Sequence, residues 1–119
     1  MAPARRSGAP LLNYEVTERT GSEASLLLHG QLSGEVSAER LKEDLGRHYV
    51  DDGVRIIVVD LSGLDLIDLE GVGVLLTLWR EARQRGKRLF VQGANGQVRE
   101  KLAITGVLGP LGEEGSAPG

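Results

Sequence analysis

Cysteine is absent from this 119-residue chain. That excludes a disulfide framework, a thiolate metal site and a thiol nucleophile, and it fits a reducing compartment. A cytoplasmic location is therefore expected. Histidine is scarce: His29 and His48 stand far apart, and neither has a Cys, His or Glu at metal-ligand spacing. No metal and no cofactor is expected. Apolar runs fall far short of the roughly 20 residues that cross a bilayer, so no direct membrane insertion is expected. Met1 to Pro10 holds Arg5 and Arg6 with no apolar core behind them, which is not the pattern of a secretory signal. Positive charge is not in excess: 14 Lys+Arg against 17 Asp+Glu leave a formal net charge of −3. A nucleic-acid partner, which needs clustered lysine and arginine, is not expected.

Catalytic patterns are missing too. Ser33 and Ser62 have no histidine arranged to activate them, and no Gly-x-Ser-x-Gly elbow is present. The phosphate-loop string Gly-x-x-x-x-Gly-Lys-Ser/Thr does not occur. With no nucleophile–base or acid–base pair in sight, the chain does not read as an enzyme.

What is present is a 40% hydrophobic, 26% charged composition, that of a globular domain. The Ala, Gly, Pro and Ser of residues 1–10 and 109–119 suggest disordered tails around one domain at 11–108. Leu12, Tyr14 and Val16 alternate with polar residues as in a strand, Thr20 to Glu23 is a turn, and Ser25 to His29 reads as the returning strand. Gly30 to Gly34 reads as a connection to a helix over Ser37–His48, with Ser37 as N-cap. Val54 to Val59 is nearly all β-branched, the pattern of a strand buried on both faces. A helix follows from Asp68 to Gly86, then a strand at Leu89–Val91. A last helix is capped by Asn95 and ended by Gly106. The expected class is α/β: a mixed sheet of about four strands packed with helices in the order β-β-α-β-α-β-α. Val58, Leu75, Leu76, Trp79 and Leu102 are expected to share its core.

The junction Asp68-Leu69-Glu70-Gly71-Val72-Gly73 is the most informative stretch, since a buried strand there runs into a glycine-containing helix start. Asp68 suits an N-cap carboxylate. Glu70 suits the positive end of the helix dipole, or else places a fixed negative charge at a docking surface. Gly71 and Gly73 each cost a helix about 1 kcal/mol relative to alanine. Either close approach to the sheet or a partner against bare backbone offsets that cost. At 100° per residue, Val72, Leu75, Leu76, Trp79 and Arg83 form the core stripe, with the Arg83 stem along the core. Glu70, Val74, Leu78, Glu81 and Arg85 then face outward. Val74 and Leu78 there are either a partner contact or incidental exposure.

Three patches together resemble the STAS domain (sulfate transporter and anti-sigma factor antagonist), and in particular its small free-standing bacterial antagonists. They are Gly30-Gln31-Leu32-Ser33-Gly34, Val58 to Leu64 with Ile67-Asp68, and Val98 to Val107. The resemblance runs over roughly Leu12 to Leu108. It implies a protein-interaction module that docks on an anti-sigma factor or related kinase-type regulator, and it specifies no oligomeric state. The surface it implies comprises Ser33, Gly34, Asp68, Leu69, Glu70, Gly71, Gly73, Val74 and Leu78. A STAS subunit of a larger assembly, such as a stress-sensing complex or a lipid-transport accessory, is the alternative. In such antagonists the serine after the motif aspartate is phosphorylated by the kinase, which ends binding. Here Asp68 and Gly71 match that Asp-Ser-Ser/Thr-Gly motif, while Leu69 fills the acceptor slot and Glu70 the next. Leucine has no hydroxyl, so that switch is not expected at this position.

Overall fold

The computed structural model describes residues 12–49, 53–107 and 109–111. The elements run β1 (Asn13–Thr20), β2 (Glu23–Leu32), α1 (Gly34–Tyr49), β3 (Ile56–Ile67), α2 (Leu69–Gln84), β4 (Arg88–Gln92) and α3 (Gly96–Ile104). This is the expected order. Four strands form one sheet in the order β1-β2-β3-β4, with β1 and β2 antiparallel and the β2–β3 and β3–β4 pairs parallel. The hairpin turns at Gly21, whose φ of 54° is open to glycine at no steric cost.

The registers set Ala24, Ile57 and Leu89 side by side, and Leu26, Val59 and Val91 in the next row. Leu41 and Leu45 of α1, Leu75, Leu78 and Ala82 of α2, and Val98 and Leu102 of α3 join these rows in one buried cluster. Val58, Leu76 and Trp79, expected in that core, are only half-buried. The opposite rows, Ser25–Val58–Phe90 and Leu27–Asp60–Gln92, are half-buried to exposed. So β3 is fully buried on one face rather than two, because the core packs against a single side of the sheet.

Three boundaries differ from the local reading. Leu61 to Ile67 continue β3, and Gly30 to Leu32 continue β2, because the two segments pair in parallel: Gly30 lies opposite Leu64 and Leu32 opposite Ile67. Neighbouring backbone thus overrides glycine and serine signals that locally suggest a loop. α1 begins at Gly34 rather than after a Ser37 cap. Asn95 occupies the N-cap position of α3 but makes no capping bond; its amide donates to the Gly93 carbonyl at 3.2 Å. Gly106, with φ 77°, ends that helix as expected. Packing also runs past the boundary expected at 108: Leu111 is fully buried and its carbonyl accepts from the Val91 N–H at 2.9 Å. Residues 1–10 and 112–119, read as tails, and the His48 side chain lie outside the described residues. Among the described residues no helix is long and apolar enough to cross a membrane.

Candidate functional site

Asp68 stands between the end of β3 and the start of α2 in an extended conformation, φ −116° and ψ −173°. One carboxylate oxygen, Oδ1, accepts from the Gly71 N–H at 2.9 Å and caps α2. The other, Oδ2, accepts from the Gly34 N–H at 3.0 Å and so closes the start of α1. One side chain therefore satisfies donors at two helix N-termini, where a negative charge is favoured by both dipoles. The acceptor for the first N–H of α1 thus comes from 34 residues away. The Asp68 N–H in turn donates to the Leu32 carbonyl at 3.3 Å.

Two further features hold this corner. A Cβ at Gly71 would stand 2.4 Å from the Leu32 carbonyl oxygen and 2.7 Å from Ile67 Cγ1. Close approach of helix and strand, not open backbone, is therefore the reason for that glycine. Gln97, in the first turn of α3, pairs with Ile67 like a neighbouring strand: its Nε2 donates to the Ile67 carbonyl and its Oε1 accepts from the Ile67 N–H, both at 3.0 Å. Sequence reasoning missed Gln97. No local signal marks a glutamine whose partner lies 30 residues back.

The remaining sequence-predicted residues divide. Ser33, Gly34, Asp68, Leu69, Glu70 and Gly71 are brought together at this corner. Leu69 is 66% exposed, one of two large exposed hydrophobics among the described residues. Gly73 is exposed, with nothing within 4 Å of where its Cβ would be. Val74 and Leu78 do not face outward: they are 7% and 0% exposed. α1 packs along that flank of α2, so α2 buries a wide arc against both helix and sheet. The outward line is instead Leu69, Gly73, Leu76 and Arg80, about 100° from the expected one. Arg83, expected along the core, is exposed and lies over the Trp79 ring, 5.0 Å from its centroid. Among the described residues no group of His, Cys, Asp or Glu is placed to hold a metal ion.

Replacing Asp68 by alanine removes both caps at once. The expected loss is about 2 kcal/mol, roughly twice that of an ordinary N-cap, while Asp68→Asn, which keeps one acceptor oxygen, should lose less. Denaturant unfolding of the two variants checks this, and an Asp68→Asn variant as stable as the parent would mean that the bond to Gly34 contributes nothing.

A family model described as STAS domain matches residues 15–111. The anti-sigma-B factor antagonist of Listeria monocytogenes is 25% identical over 96 residues, covering 81% of this chain and 82% of that protein. The solved structure of the anti-sigma factor antagonist SpoIIAA in its unphosphorylated form matches with a TM-score of 0.71 and 22% identity, over 87% of this chain and 92% of that one. An anti-sigma factor antagonist from Mycobacterium paratuberculosis matches with a TM-score of 0.67 and 20% identity, over 81% and 79% of the two chains. Both structural likenesses concern the fold.

Proposed function

Because this chain belongs to the STAS domain family, we propose that it is an anti-sigma factor antagonist-like binding module that docks on a kinase-type anti-sigma factor in the cytoplasm. The names of its relatives support the partner class. The observation that carries the reading is the corner at Asp68, where an apolar side chain stands exposed on a helix start held by four hydrogen bonds. Holding such a group rigid before binding lowers the entropy lost on association. The proposed contact surface is Ser33, Gly34, Asp68, Leu69, Glu70, Gly71 and Gly73. Val74 and Leu78 support it from beneath.

Leu69 and Glu70 have different roles in this proposal. Leu69 has no hydroxyl to phosphorylate, so the module binds without that switch. Glu70 projects about 100° around the helix from Leu69. Its single charge is also smaller than the −1.5 to −2 of a phosphate. Leu69→Asp should therefore weaken binding to the regulator purified from the native host by about tenfold or more, a loss of ~1.4 kcal/mol, while Glu70→Gln should change it little. Isothermal titration of the two variants decides. Tenfold tighter binding by Glu70→Gln would instead make Glu70 a phosphate mimic, and co-purification with membrane transporter subunits alone would favour a role inside a larger assembly.

A further inference from the structure

Between α1 and α2 lies an open groove of about 280 Å³, lined chiefly by Glu35, Ala38, Glu39 and Lys42 of the first helix and Glu70 and Val74 of the second. Ala38 and Val74 give it an apolar floor. Its walls carry three glutamates against one lysine, and all four of these side chains are exposed. A groove of that character suits a short basic segment with small side chains between the charges.

The chain itself supplies such a segment. β1 runs antiparallel to β2, with Asn13 opposite His29. Leu12 therefore stands at the end of the sheet where β2 hands over to α1 and where β3 ends at Asp68. The residues before Leu12 depart from that same end. They include Arg5 and Arg6 among Ala, Gly, Pro and Ser, and no acidic residue precedes Glu15. Extended chain from Leu12 to Arg6 reaches about 20 Å, while α1 starts at Gly34, directly after Ser33.

We propose that the α1–α2 groove docks this chain's own Arg5–Arg6 segment, with the guanidinium groups against Glu35 and Glu39. Arginine's planar fork matches carboxylates in pairs. One exposed pair contributes little, but a tether this short holds the arginines at an effective concentration in the millimolar range. Docking depends on no other protein. Its consequence, competition with a partner that contacts the groove wall at Glu70, rests on the reading in the preceding section.

Amide spectra of the ¹⁵N-labelled full chain and its Arg5→Ala/Arg6→Ala variant test the docking directly. At low salt the two should differ at residues 35–42 and 70–77, and the difference should vanish near ~0.5 M salt, where the screening length falls to a few ångströms. Superimposable groove signals would overturn the proposal, as would differences confined to other surfaces. Groove differences that grow with protein concentration would also overturn it, by making a second copy the occupant. A separate titration with the anti-sigma regulator addresses competition: the double variant should bind about two- to tenfold tighter, the scale of two exposed pairs. Unchanged affinity alongside the groove differences would leave the docking established and remove Glu70 from the partner surface.

Discussion

Truncating Leu78 to alanine should lower the unfolding free energy by about 2–5 kcal/mol, the range for a fully buried leucine that leaves a cavity behind. Its side chain is completely buried in the core cluster, on the flank of α2 that α1 covers. Leu76, two positions away, is only half-buried at the edge of that cluster. Leu76→Ala should therefore cost less than about 2 kcal/mol, since fewer of its contacts are lost and water can fill the space. Helical periodicity alone assigns these two residues the opposite way. Chemical denaturation of both variants distinguishes the assignments: a larger loss at Leu76 than at Leu78 would mean that α2 is rotated from its position here.

Gly71→Ala and Gly73→Ala should shift stability in opposite directions although the two glycines lie half a turn apart. At position 71 the added carbon would meet a backbone carbonyl oxygen at 2.4 Å and the Ile67 side chain at 2.7 Å. A paired strand cannot yield cheaply, so the expected cost is about 1–3 kcal/mol or more. At position 73 the added carbon enters open space, and removing a glycine from a helix interior should stabilise by up to about 1 kcal/mol. Thermal unfolding of both variants checks the pair. Destabilisation by Gly73→Ala would overturn the reading of an open helix face there. Stabilisation accompanied by weaker partner binding would assign that glycine to docking rather than folding.

Much of this architecture is legible in local sequence. The alternation in the first hairpin, the β-branched run from Val54, the Asp68 cap and the positive-φ glycine at 106 each show in residue type and spacing over a few positions. The reading failed where partners are distant. Gly30 to Leu32 look like loop until β3 supplies their hydrogen bonds, and Ser37 looks like a cap until the Asp68 carboxylate is seen reaching Gly34. Of the candidate site, the Asp68–Gly71 cluster was identifiable by its residue types, whereas Gln97 was not.

The outward face of α2 marks the boundary between what each level decides. Sequence by itself determined that an amphipathic helix follows Asp68, that Asp68 starts it, and that residue 69 carries no hydroxyl. Those are matters of periodicity, capping chemistry and side-chain identity. Which leucine is buried was decided only by tertiary structure. A period of 3.6 gives the relative angles of side chains, but not how much of the circumference is covered. Because α1 packs beside α2, the buried arc widens to take in Val74 and Leu78 and leaves Leu69 and Gly73 at the surface.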